Sequence, residues 1–167
     1  AFKKALPVDD RIYMSVDGAY RRYLKQMGAD QENLTVALTS AHMEKWVRTL
    51  LHPQYINVST EAKDYWLKFI SNHHREIEFL NKAYGTSYKA FSEVPMPTDR
   101  IYSSSQLTDF TLFLSNAEKL PKEFISLDTP EFRWRQFLKE KYAAAAELAT
   151  AHGRQYESPA EIAMPQQ

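Results

Sequence analysis

Apolar residues recur along this chain at helical spacing. Met43, Trp46, Val47, Leu50 and Leu51 fall at i, i+3, i+4, i+7 and i+8. That is one face of an amphipathic helix over 41–52, which Pro53 ends. Phe110, Phe113 and Leu114 mark a counterpart over 109–119. The stripe Trp66-x-x-Phe69-Ile70 predicts a helix over 61–72 with Thr60 as its N-cap. Trp134-x-x-Phe137-Leu138 predicts another over 129–142, capped by Asp128, with Pro130 and Glu131 in its first turn. Ile77, Leu80 and Tyr84 outline a shorter helix over 75–84, and Gly85 supplies the left-handed residue that ends it. Its counterpart ends at Gly153, behind the alanine run Ala143–Ala146.

These elements repeat. Residues 66–97 return without a gap as 134–165 when the chain is slid by 68 positions. The identities are Trp66/Trp134, Phe69/Phe137, Leu80/Leu148, Ala83/Ala151, Gly85/Gly153, Tyr88/Tyr156, Glu93/Glu161, Met96/Met164 and Pro97/Pro165. Pro53 and Pro121 are separated by the same interval, which extends the units to 46–97 and 114–165. Tyr20-x-x-Tyr23-Leu24 begins a degenerate third copy over 20–40, in which Leu34 and Ala37 stand where Leu80 and Ala83 would. Asp10-Arg11-Ile12-Tyr13 recurs as Asp99-Arg100-Ile101-Tyr102, shortly after a hydrophobic-proline pair in each case. The expectation is an all-α fold, one helical repeat domain over 1–167 made of tandem hairpins that share a core.

Composition narrows the function. Lysine plus arginine and aspartate plus glutamate both number 21, so zero net charge argues against nucleic acid or an anionic membrane as the main partner. Cysteine is absent, which removes disulfides, thiolate metal sites and cysteine nucleophiles. No apolar run has the length of a membrane span, and no signal peptide is visible. A chain opening at Ala1 without methionine reads as a processed protein or as a piece of a larger one.

Candidate chemistry is sparse. His73 and Glu76 have the i, i+3 spacing of a helical metal pair, but the repeat replaces His73, His74 and Glu76 with Lys141, Tyr142 and Ala144. A solvated helix face is the simpler reading, and no metal or cofactor site is expected. Asp9, Asp10, Asp99 and the repeated Glu93/Glu161 include no pair that the sequence brings together for glycosidic hydrolysis. The repeated glutamates read as structural hydrogen-bonding groups. Nucleophile elbow, P-loop and dinucleotide fingerprints are missing, so the expectation is a protein that is not an enzyme. Residues 76–91 have the outline of a helix-turn-helix with Gly85 in the turn. The second helix would carry few base-reading side chains, and Pro95 or Pro159 would cut it short. The repeat anchors Trp66, Phe69, Leu80, Gly85, Tyr88, Trp134, Phe137, Leu148, Gly153 and Tyr156 are accordingly read as scaffold.

The string Phe79-x-x-x-x-Tyr84-Gly85-Thr86, behind a Trp-x-x-Phe helix, resembles two settings. One is a helical segment of family 42 beta-galactosidases, matched by Phe137 to Tyr142 and Leu80 to Thr86. The other is a large extracytoplasmic insertion in bacterial sugar-type ABC transporter permeases, where such units stand in tandem. The tandem arrangement and the lack of barrel sequence favour the second. That resemblance implies a periplasmic interaction domain of an inner-membrane protein, touching a solute-binding protein or a neighbouring subunit. It implies contact with the membrane only through flanking segments, and no nucleic acid. The alternatives are an accessory helical domain of a carbohydrate-active enzyme and a helix-turn-helix DNA binder.

Overall fold

A computed structural model describes residues 15–97 and 103–141. The described chain is mostly helical, with six α-helices, four short 3₁₀ turns and one two-stranded sheet. It divides into two compact units, one holding the described residues up to Val36 and from Asp128 onward, the other spanning Ala37–Leu127.

In the first unit, α1 (Val16–Met27) starts at Ser15, whose Oγ accepts a hydrogen bond from the Gly18 N–H at 2.9 Å. Gly28, at φ 65°, ends it, and Tyr20, Tyr23 and Leu24 form its buried face. Beyond Gly28 the expected second hairpin helix is missing. Leu34 is buried from irregular chain, and Tyr20 OH donates to Glu32 across that segment. A segment that lacks the apolar period of a second helix has nothing to hold one. The other described helix of this unit, which we number α6 (Pro130–Lys141), is capped by Thr129, whose Oγ1 accepts from the Phe132 N–H at 3.3 Å. Asp128, the expected cap, instead takes the Arg133 guanidinium at 2.8 Å. Glu131 accepts from the Val16 N–H at 2.8 Å and Arg135 pairs with Asp17, so polar contacts join the first turn of α1 to α6.

The second unit contains α2 (Ala41–Thr49), β1 (Ile56–Val58), α3 (Lys63–His74), α4 (Ile77–Tyr84), α5 (Ser104–Leu114) and β2 (Ile125–Leu127). The α2 face is the expected one: Met43, Trp46, Val47 and Leu51 are buried, while Leu50 is exposed. Helix α5 begins well before the expected 109 because Ser103 and Gln106 form a reciprocal capping box. Thr60 lies inside a 3₁₀ turn (Thr60–Ala62) rather than capping α3. The strands, which the periodicity did not predict, pair antiparallel with Ile56 opposite Leu127 and Val58 opposite Ile125. Each is preceded by a 3₁₀ turn, at Pro53–Tyr55 and Lys122–Phe124.

Trp66, 1% exposed, is the centre of the core. Its ring meets Phe113 and Phe110 edge-on at 5.3 and 6.5 Å, and its Nε1–H donates to the Pro95 carbonyl at 3.2 Å. Arg48 is buried as well. It donates to the Leu114 and Leu120 carbonyls at 2.8 and 2.9 Å and to Glu44 at 2.9 Å, satisfying acceptors freed around the end of α5.

The two Trp-x-x-Phe stripes do not bury alike. Trp134 is half-buried and Phe137 is 47% exposed, against a fully buried Trp66 and Phe69. The buried side chains of α6 are Glu131 and Leu138, so a different face of this helix turns inward within its own unit.

Candidate functional site

The last two residues of α3 are His73 and His74, and the helix stops there abruptly. Arg75 has φ 63° and ψ −44°, and the Glu76 N–H donates to the His74 carbonyl at 2.7 Å. This is a γ-turn of the rarer, strained hand, on a residue with a side chain. The turn packs α4 against α3 and sets the Tyr84 ring edge-on to His74, with centroids 5.7 Å apart.

Asp109, in the middle of α5, faces this corner with its side chain only 6% exposed. Its Oδ2 accepts from Tyr84 OH at 2.7 Å and lies 2.6 Å from His74 Nε2, while its Oδ1 lies 3.4 Å from His73 Nε2. The two imidazole nitrogens and a carboxylate oxygen all fall within 4.8 Å of one another. Burial above all, reinforced by the bond to Asp109, pushes the Tyr84 hydroxyl far above its ordinary pKa. It therefore stays a donor and fixes the carboxylate's orientation.

The two histidines differ in setting. His74 is 11% exposed, whereas His73 is 45% exposed and stacks on Phe69 at 5.6 Å with rings nearly parallel. His73 also stands at one end of an open groove of about 410 Å³. Tyr65 and Lys68 of α3 line one side and Glu118 and Lys119 the other, with Lys119 Nζ 4.9 Å above the Phe69 ring.

The sequence had linked His73 to Glu76. The structure leaves Glu76 exposed in the γ-turn and gives His73 the neighbours His74 and Asp109 instead. No spacing rule joins residues so far apart in the chain. The only available signal was a His-His pair at a helix end together with an acid at an apolar-face position of α5. Among the other histidines, His52 Nδ1 accepts from the Gln54 N–H at 3.2 Å and caps a 3₁₀ turn. Glu93 has the structural role read for it, closing a turn by accepting from the Lys89 N–H at 2.9 Å.

Of the repeat anchors, Trp66, Phe69 and Leu80 are buried, and Gly85 has φ 70°. Tyr88 is half-buried, its backbone clamped by the Asn81 side chain at both N–H (2.9 Å) and carbonyl (2.8 Å). That clamp holds the segment after Gly85 in an irregular path ending in a 3₁₀ turn (Phe91–Glu93), so no second α-helix of a helix-turn-helix is present there. Leu148, Gly153 and Tyr156, like Asp9, Asp10, Asp99 and Glu161, lie outside the described residues. Among the described residues no helix is long and apolar enough to cross a membrane. Comparison with protein-family models, curated proteins and solved structures found no match to this chain.

Proposed function

We propose that the chain is a non-catalytic interaction domain of the extracytoplasmic part of a bacterial ABC transporter permease, contacting a solute-binding protein or a neighbouring subunit. The observation that supports it is how the motif residues are used. Trp66, Phe69 and Leu80 are buried in packing, Gly85 ends a helix, and Tyr88 is clamped through its backbone. What remains accessible beside them is a groove of mixed charge between α3 and the turn after α5, with Lys68 and Lys119 beside Glu118. A recognition surface of that kind selects partners through complementary charge. Calorimetric titration of the chain with the solute-binding protein encoded beside it tests the reading. Saturable binding is expected, weakened at least about tenfold by the pair Lys68→Glu and Lys119→Glu, since a tenfold loss is about 1.4 kcal/mol. Absence of binding, or binding indifferent to the charge reversals, refutes it.

One observation favours a second reading, an accessory domain of a carbohydrate-active enzyme. Tyr65 offers an exposed ring in the groove next to Asp64 and Asn72, a stacking face flanked by hydrogen-bonding groups. Binding of oligosaccharides that Tyr65→Ala abolishes would replace the first reading with this one.

A further inference from the structure

We infer that His73, His74 and Asp109 form a binding site for a borderline divalent cation of the zinc type, independent of whether the groove docks a partner. Two imidazole nitrogens and one carboxylate make a donor set suited to such an ion, with at least one coordination position left for water.

Three features of the site support the assignment. Both histidines present the same nitrogen, Nε2, to the same carboxylate, at 2.6 and 3.4 Å. Ligands around a tetrahedral ion with bonds of about 2.0–2.1 Å stand roughly 3.3 Å apart, so His73 and Asp109 already have that separation. The His74 contact, made to the other carboxylate oxygen, must open by less than about 1 Å, and the two imidazole nitrogens, within 4.8 Å of each other, must settle at about the same spacing.

The carboxylate is also supported from outside. Tyr84 OH holds Asp109 Oδ2 at 2.7 Å, the kind of outer hydrogen bond that orients a metal-binding carboxylate. His73 is fixed by its stack on Phe69 rather than free to swing. Access is provided from the His73 side: Asp109 is buried, His74 is half-buried, and the exposed His73 edge adjoins the groove. An ion there would tie the C-terminal end of α3 to the middle of α5.

The alternative is a purely structural network in which Asp109 accepts from Tyr84 and His74, and His73 is incidental. The two accounts differ in what His73 does. A structural network binds no ion, and a metal site loses it when that exposed ring is removed.

The test is titration of the full chain with Zn²⁺ by calorimetry and with Co²⁺ by visible absorption. One ion per chain is expected, with a d–d spectrum from nitrogen and oxygen ligands. His73→Ala, at a half-exposed position, leaves the fold intact by circular dichroism and removes the saturable site. Tyr84→Phe keeps the ligands but loosens the carboxylate, and weakens binding by about 10-fold or more. Glu76→Ala and His52→Ala leave affinity unchanged. The assignment is overturned if the wild-type chain shows no saturable Zn²⁺ binding. It is equally overturned if His73→Ala binds as tightly as wild type, or if Glu76→Ala or His52→Ala abolishes the site.

Discussion

Replacing Trp66 by alanine should be among the most damaging single changes available in this chain, and replacing Trp134 should not. Trp66 is 1% exposed, and its ring touches Phe69, Phe110 and Phe113. Truncating a buried tryptophan costs about 3–5 kcal/mol from lost transfer energy and the cavity left behind. The edge-on pairs with Phe110 and Phe113 add about 0.5–1.5 kcal/mol each if the ring is lost outright. The Pro95 carbonyl also loses its indole donor, for about 1 kcal/mol. These contributions overlap, so the expected total is about 5 kcal/mol, a large share of the stability of a domain this size. Trp134 is half-buried and stacks on an exposed Phe137 at 5.5 Å, so its removal should cost about 1–2 kcal/mol. Urea denaturation followed by far-ultraviolet circular dichroism measures both. At about 2–4 °C per kcal/mol, thermal melts should separate the two variants by roughly 10 °C. A Trp66→Ala variant within about 1 kcal/mol of wild type would refute the core assignment. Equal losses at both tryptophans would refute the difference in burial between them.

Gly85→Ala should cost about 1 kcal/mol through the backbone alone, because φ is 70° and an added Cβ meets nothing within 4 Å; a melt shift of more than about 5 °C would mean a steric cause. Arg75→Gly should be neutral or stabilising by up to about 1 kcal/mol, since glycine relieves the strained γ-turn while loosening the unfolded chain, and a clear loss in urea denaturation would show that the arginine side chain holds the corner. Arg48→Ala should cost about 3 kcal/mol, leaving the Leu114 and Leu120 carbonyls without their donor in a buried setting, and a cost below about 1 kcal/mol would mean that water replaces the guanidinium. Asp17 is raised above the ordinary carboxylate value, chiefly by burial, with Arg135 opposing and Glu131 adding to the rise. A folded-state pKa above the unfolded one means that ionised Asp17 opposes folding at neutral pH, and that this penalty fades as pH falls through the raised value. Wild type should therefore gain stability relative to Asp17→Asn as pH drops from neutral towards the ordinary carboxylate range, and a pH-independent difference in denaturation midpoints would contradict it.

The helices were legible in the sequence because each carries its own period, though α2 and α5 end at Thr49 and Leu114, short of the expected 52 and 119. Met43, Trp46 and Val47 place α2, and Trp66, Phe69 and Ile70 place α3. Leu80 with Gly85 bounds α4, since helical spacing and a left-handed stop are local properties that a reader of residues can count. Starts were less legible. Ser103 and Gln106 cap α5 from outside the apolar pattern, and Thr129 rather than Asp128 caps α6, because capping is decided by which side chain reaches the free N–H groups. The strands Ile56–Val58 and Ile125–Leu127 are too short to show a period of two, and each exists only because the other supplies its hydrogen-bonding partner. Identical Trp-x-x-Phe motifs end with different burial because which face of a helix turns inward is set by what packs against it, as Phe110 and Phe113 do against Trp66. The cluster of His73, His74, Tyr84 and Asp109 was also beyond the sequence. Its members come from three helices, and what joins them is a strained turn at Arg75 and the packing of α5 across the corner, neither of which leaves a spacing to read. The sequence by itself determined which segments are helical and which of their residues are apolar anchors. The tertiary structure decided the sheet, which face of each helix turns inward and the convergence of His73, His74, Tyr84 and Asp109, because all three depend on contacts between residues distant along the chain.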